Sequence, residues 1–208
     1  MNEVKKLKEA LAELRKEKER KFDQTIDLII NLRGIDMKRD QMNIVVSVPN
    51  KVKDKKICAF LTEKSKTIDS ITEAEFKKYG GKKELKNLVK DYDYFISVAG
   101  LMPKVATVFG KVLGPAGKMP SPQLGILAQE NEQSIKATLS KIATSFKIRL
   151  KEASIKVPVG KLSMDDEKII ENADSVYKTV ESALPKKIEN VKNIMIKTTM
   201  GKPLKVEI

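Results

Sequence analysis

Lys21-Phe22-Asp23-Gln24-Thr25-Ile26-Asp27-Leu28-Ile29-Ile30-Asn31-Leu32 and Ile57-Cys58-Ala59-Phe60-Leu61 are two apolar stretches built on different rules. In the first, Phe22, Gln24, Ile26, Leu28, Ile30 and Leu32 alternate with Asp23, Thr25, Asp27 and Asn31. That period of two marks a half-buried strand of antiparallel type. The second has no polar alternate, the pattern of a strand covered on both faces. The order in which these two styles recur along the chain decides the fold.

Around the first stretch the style is mixed α+β. Val4, Leu7, Ala10, Leu11 and Leu14 recur at helical spacing before it. Residues 42–48 form a second strand after it, stopped by Pro49-Asn50 and the basic run Lys51, Lys53, Lys55 and Lys56. Beyond Leu61 the style changes. Helical segments at 73–79 and 82–90 lead to a second apolar strand at 94–98. A short helix after Pro103 running through Val112, a Gly/Pro-rich loop, a helix near 133–142 and a strand at 145–150 follow. Strands alternating with helices predict a layered α/β unit with a largely parallel sheet. From Ser154 the first style returns, with Ile155, Val157 and Val159 alternating with Lys156 and Pro158. Ser163 and Asp166 have the spacing of a capping box. The helix they open has the apolar face Ile169, Ile170, Ala173, Val176, Tyr177, Val180 and Leu184, and Pro185 ends it. Strands at 191–199 and 204–208 flank the turn Met200-Gly201-Lys202-Pro203. The predicted fold is therefore α+β at both chain ends and α/β in the middle. Residues 1–62 and 153–208 fold together as one domain, with 63–152 inserted.

Composition narrows the function. The 208 residues carry 41 Lys+Arg against 28 Asp+Glu, a formal net charge of +13, which suits a polyanionic partner. Lys supplies 36 of the 41 cations, as a lysine-biased or heat-adapted proteome also would. The middle stretch holds 16 basic and 10 acidic residues and the ends hold 25 and 18, so charge does not say which part binds. The chain has no His. This removes the commonest general base, the Ser-His and Cys-His pairs and the usual zinc ligand. Cys58, the single Cys, reads as a small buried hydrophobe, and a disulfide within the chain is impossible. No apolar run approaches the ~20 residues of a membrane span. The N-terminus leads into a charged helix instead of a signal core. A cytosolic protein without metal or cofactor is expected. Asp36, Asp40, Asp165 and Asp166 read better as caps and turns than as metal ligands.

Three clusters hold the residues with chemistry to offer. The densest runs from Gly100-Leu101-Met102-Pro103-Lys104 to Phe109-Gly110-Lys111-Val112-Leu113-Gly114-Pro115-Ala116-Gly117-Lys118-Met119-Pro120. There Lys118 is expected to project a cation from a stiff turn. A phosphate-binding loop does not fit: Val112 stands where the first Gly belongs, and Met119 replaces the Ser/Thr magnesium ligand. Lys197-Thr198-Thr199-Met200-Gly201-Lys202-Pro203 offers hydroxyls, backbone N–H groups and cations for phosphate and ribose, or is an ordinary hairpin. Lys21-Phe22-Asp23-Gln24-Thr25 places an aromatic beside a cation, for stacking on a base or for the core.

In this order and spacing the three clusters resemble the ribosomal protein L-one family, the protein of the mobile stalk beside the exit site of the large subunit. The match is strongest from Leu101-Met102-Pro103 through Gly114-Pro115-Ala116-Gly117-Lys118-Met119-Pro120, in the family's archaeal form. Lys21 to Thr25 resembles its first strand and Thr199-Met200-Gly201 its C-terminal turn. Gly34-Ile35-Asp36-Met37-Lys38 and Val159-Gly160-Lys161 also fit. The resemblance implies a discontinuous first domain and an inserted three-layer, Rossmann-like second domain. It implies ribosomal RNA contacts at Lys21, Phe22, Thr25, Lys161, Thr198, Thr199, Met200 and Gly201, with Gly114, Gly117 and Lys118 in the second-domain loop. The implied partners are large-subunit ribosomal RNA, exit-site tRNA and the protein's own messenger RNA, bound by a chain that is monomeric off the ribosome. Release of deacylated tRNA and translational repression would follow. The chain departs from the family in three places. Ala116 stands where an Arg is usual, Asp40-Gln41-Met42-Asn43 lacks the basic residue before the second strand, and 50–55 lacks the usual glycines.

Two other classes compete. A nucleotide-binding α/β enzyme such as a methyltransferase would fit the middle segment, but His, a phosphate-binding loop and GxGxxG are all missing. A basic chaperone-like or DNA-compacting protein would show little preference for ribosomal RNA over random duplex.

Overall fold

The computed structural model describes residues 2–16, 21–35, 43–65, 67–79, 81–150 and 152–206. In chain order its elements are α1 (Asn2–Arg15), β1 (Thr25–Leu32), β2 (Asn43–Ser47), β3 (Ile57–Leu61), β4 (Asp69–Thr72), α2 (Lys82–Asp91), β5 (Tyr94–Val98), α3 (Met102–Ala116), β6 (Ile126–Leu127), α4 (Glu132–Ala143), β7 (Ser145–Arg149), β8 (Ser154–Lys161), α5 (Asp166–Ala183), β9 (Val191–Thr198) and β10 (Leu204–Val206). Short 3-10 turns cover Glu73–Tyr79, Ala99–Leu101 and Lys187–Asn190. The chain forms two compact units, Met1–Lys53 with Thr144–Ile208, and Asp54–Ala143.

The terminal unit is built on an antiparallel sheet ordered β10-β9-β1-β8. The alternation in β1 buries Ile26, Leu28, Ile30 and Leu32. They join Ile155, Val157 and Val159 of β8, Ile194 and Ile196 of β9, and the α5 stripe Ile169, Ile170, Ala173, Val176 and Val180. Each such side chain contributes about 1.5–3 kcal/mol of transfer free energy on full burial. From α1, Ala10, Leu11 and Leu14 enter the same core, with Leu7 packed against it. The Val4 side chain lies outside the described residues. Pro158 sits opposite Asp27 on an edge strand, where its missing N–H costs no ladder bond. The register slips beside it, so Ile26 pairs with Gly160 and Asp27 with Pro158. Gly160 itself is required by packing, because a Cβ there would lie 2.7 Å from Ile169 Cγ1.

The inserted unit carries a parallel sheet ordered β4-β3-β5-β6. Cys58 and Phe60 of β3 and Phe95 of β5 face a cluster that includes Phe76 of the 3-10 turn Glu73–Tyr79, Leu85 and Leu88 of α2, and Val105, Phe109 and Leu113 of α3. Ala59, Leu61 and Ile96 alternate with them, are also buried, and lie outside that cluster, as do Ile135 and Ile142 of α4. Both sheet faces are covered, as continuous apolar strands require. Burial pushes the Cys58 thiol up to about 12, so it behaves as the inert small hydrophobe expected of it.

Several expectations are corrected in detail. The seams fall at 53/54 and 143/144, ahead of the predicted 62/63 and 152/153. At the first, β3 pairs in parallel with β4 and β5 and so belongs to the insert. At the second, β7 pairs antiparallel with β2, and Ile148 and Leu150 join the terminal core. Strand continuity along the chain misled because partner choice is a long-range property. β4 and β6 are too short to carry an alternation signal. The helix after Pro103 extends past Val112 to Ala116, since Val105, Phe109 and Leu113 form one buried stripe across its glycines. The capping box does not form: α5 has Asp165 at its N-cap, and Ser163 Oγ donates to Asp23 Oδ2 at 2.8 Å. Residues 36–42, with Asp36, Asp40 and the start of the second predicted strand, lie outside the described residues.

Candidate nucleic-acid interface

The Lys21–Thr25 and Lys197–Pro203 clusters meet at one end of the antiparallel sheet. β1 starts at Thr25, with Lys161 opposite on β8, and Ile26 faces Thr198 on β9. The chain before β1 and the chain after β9 therefore leave the sheet side by side. Thr199 locks them together. Its N–H donates to the Thr25 carbonyl at 2.9 Å, and its Oγ1 accepts the Thr25 N–H at 3.1 Å. The turn closes with the Gly201 N–H on the Thr198 carbonyl at 3.2 Å.

This scaffold leaves two large apolar side chains in water, Phe22 at 54% and Met200 at 61% exposure. Neither belongs to the buried core; the Met200 N–H is held by Gln24, and Phe22 stands three residues before the braced Thr25. The exposed Lys21 lies beside Phe22. Lys161 Nζ sits 3.7 Å from Asp23 Oδ2, a surface pair worth at most about 1 kcal/mol and easily exchanged for a phosphate. Exposed apolar side chains beside cations suit a ribose-and-phosphate surface, while the backbone N–H groups of Thr25, Thr199, Met200 and Gly201 are engaged within the protein.

Each predicted residue has a definite place. Lys21, Phe22, Thr25, Lys161, Thr199, Met200 and Gly201 gather at this sheet end. Thr198 is fully buried, which corrects its expected role as a contact: it acts through its carbonyl. Thr199 is a brace as much as a surface group. Gln24 is not among the expected site residues, yet it is buried and its Oε1 accepts the Met200 N–H at 3.3 Å. Its signal was available, because a polar residue at an inward position of an alternating strand must find a partner. Asp23 fixes the next loop, accepting Ser163 N–H at 3.2 Å and Ser163 Oγ.

The middle cluster behaves differently. Gly117, at φ 73, ends α3 in the left-handed region. Its N–H donates to the Gly114 carbonyl and the Lys118 N–H to the Leu113 carbonyl, both at 3.0 Å, the paired bonds of a Schellman cap. Lys118 does not project. Its Nζ donates to the Val89 and Tyr92 carbonyls, each at 2.7 Å, at the C-terminal end of α2. There the cation satisfies orphan carbonyls and complements the helix dipole.

At the carboxyl end of β3, where α/β sheets hold ligands, a cleft is lined by Thr62, Glu63, Glu130 and Ile135. Its backbone donors are already engaged. Thr62 N–H and Glu63 N–H donate to Glu130 Oε1 at 2.9 and 3.1 Å, so a carboxylate of the chain fills the place of an anion. Among the described residues no cluster of His, Cys, Asp or Glu could hold a metal ion, and no helix is long and apolar enough to cross a membrane. Asp165 pairs with Lys168 at 2.7 Å, and Asp166 accepts Arg15.

Comparison with known proteins gives the family. The model of the Ribosomal protein L1p/L10e family matches residues 14–202, and the chain belongs to that family. Among its relatives is the large ribosomal subunit protein uL1 of Methanothermobacter thermautotrophicus, 34% identical over 99% of this chain and 97% of that protein. The uL1 proteins of Thermococcus kodakarensis and Pyrobaculum islandicum are 32% and 34% identical, over 97% and 96% of this chain and 97% and 90% of their own.

Proposed function

We propose that the chain is a structural, non-catalytic constituent of the large subunit of the cytoplasmic ribosome, and that its terminal unit grips ribosomal RNA through the Phe22–Met200 end of the sheet. The observation that carries this is two exposed apolar side chains on neighbouring, mutually braced segments in a chain of net charge +13. Met200 packs on the shallow minor-groove face of an A-form RNA, and Gly201 permits close approach to ribose. Contact with exit-site tRNA, help in its release, and repression through the protein's own messenger RNA are finer readings supported by the family resemblance. Met200→Ala should weaken binding to the stalk RNA by about 1–2 kcal/mol at fixed salt without altering the fold. An unchanged dissociation constant removes Met200 from the site. The enzyme reading is disfavoured by Glu130 in the anion cradle, and nucleotide hydrolysis above blank would revive it.

A further inference from the structure

Phe22 and Met200 share their exposure with one other large apolar side chain among the described residues, Ile188 at 54%. It belongs to the same unit but to the other end of the sheet. β9 runs from the 3-10 turn Lys187–Asn190 to the Met200 turn, so the two lie about 24 Å apart along one strand.

The turn carrying Ile188 is built, not loose. Asn190 is buried and bonded on all sides. Its Oδ1 accepts the Lys186 N–H at 2.7 Å, its Nδ2 donates to the Arg33 carbonyl at 2.9 Å, and its own carbonyl accepts the Arg33 N–H at 2.8 Å. The Arg33 Nε donates to the Glu189 carbonyl at 2.9 Å, which fixes the guanidinium at the surface. Lys187 is held at φ 49, in the left-handed region that a lysine rarely adopts. Backbone strain kept in place by a buried polar side chain is the pattern of a functional turn. What the turn presents is the exposed Ile188 with the exposed Arg33, Lys186, Lys187 and Lys192 close in the chain or bonded to the turn, against the exposed acids Glu189 and Glu152, the latter next to Ala153, whose carbonyl accepts the Leu32 N–H.

We propose that this turn is a second RNA contact, taking the phosphate backbone of a duplex at a distance from the primary interface. The inference rests on the reading of the terminal unit as the RNA-gripping one. The cation surplus favours a polyanion over a protein partner. A single rigid strand would then set the spacing between two contacts on one RNA.

The test uses the full chain and two RNAs, a minimal ribosomal stalk hairpin and the same hairpin lengthened by about 16 base pairs, enough for two successive minor grooves. Wild type should bind the longer RNA more tightly and with a steeper salt dependence. Lys186→Ala/Lys187→Ala, and separately Ile188→Ala, should bind the short RNA as wild type does and lose the gain on the long one. The double variant's salt slope should fall by roughly 0.7–0.9 log units per lost phosphate contact. Both variants change exposed side chains, and circular dichroism checks the fold. Equal binding by variants and wild type on both RNAs overturns the proposal, as does an equal loss on both. Met200→Ala on the short RNA tests the primary interface alone, so failure of that reading is seen separately.

Discussion

The two units distribute apolar side chains in opposite ways. The inserted unit keeps its aromatics inside: Phe60 stacks on Phe95 at 5.7 Å, and Phe76 and Phe109 meet edge to face at 5.1 Å. The terminal unit has aliphatic side chains at its buried centre, with Phe146 and Tyr177 packed half-buried against them, and leaves Phe22, Ile188 and Met200 largely in solvent. The cations singled out in the sequence differ in the same way, although other lysines of the insert, Lys83, Lys86 and Lys111 among them, are exposed. Lys118 of the insert is spent on two helix-end carbonyls, whereas Lys21 and Lys161 stand at the surface beside Phe22. Net charge is shared between chain ends and middle, so the proposal that the terminal unit is the one that recognises RNA rests on the placement of Phe22 and Met200 and not on total charge.

The largest expected effect lies in the aromatic core. Phe60 touches Phe76, Phe95 and Phe109, and Phe60→Ala should cost about 3–5 kcal/mol of insert stability. At temperatures where the variant remains folded, its dissociation constant for the stalk RNA should match wild type. Denaturant melts and binding isotherms on one preparation check both halves. A loss of affinity in the folded variant would put recognition partly in the insert.

Lys118 gives a smaller and sharper comparison. Lys118→Met removes the cation while keeping much of the stem, and leaves the Val89 and Tyr92 carbonyls without it. Stability should fall by about 1–3 kcal/mol. The slope of log affinity against log salt should stay as it was, because this cation touches the protein and not phosphate. A slope reduced by roughly one contact would mean that Lys118 swings out to RNA.

Much of this was legible in the sequence, and the limits are physical. The alternation from Phe22 to Leu32 and the continuous run from Ile57 to Leu61 report local burial, and they separated two fold styles correctly. They carry no information on partners, which is why β7 was read with the insert although Ile44↔Ile148 and Val46↔Phe146 tie it to β2. The Lys118 reading failed for a related reason. A lysine in a Gly/Pro turn looks like an exposed cation until the helix end that it caps is known. At the candidate interface, the residues themselves leave Phe22 open between surface and core, the resemblance singles out Phe22 and Met200, and neither tells surface from brace. Thr198 and Thr199 look alike in sequence, yet one is fully buried and the other clasps Thr25.

The smallest expected effect tests the comparison as a whole. If recognition resides in the terminal unit, replacing Asp54–Ala143 by a short Gly/Ser linker should leave affinity for the stalk RNA nearly intact. The terminal unit is suited to the cut. Ser47 pairs with Ser145, and the Val48 N–H donates to the Thr144 carbonyl at 2.7 Å, so its two seams are already held near each other. Joining them costs little loop entropy, because closure entropy rises only slowly with length. The core loses none of the side chains clustered with Ile26, Val157 and Val176, since that cluster draws on no residue between 54 and 143. Asn50 stays anchored, with Asn172 Oδ1 accepting its N–H at 2.9 Å and Asn172 Nδ2 donating to its carbonyl at 3.0 Å, which keeps the linker's first attachment ordered. The salt slope should shrink only by those phosphates the insert touches, roughly 0.7–0.9 log units each. Dissociation constants for the full and shortened chains across a salt series give the answer. A shortened chain that folds by circular dichroism yet loses preference for stalk RNA over random duplex would make the insert the reader and reduce Phe22 and Met200 to accessory contacts.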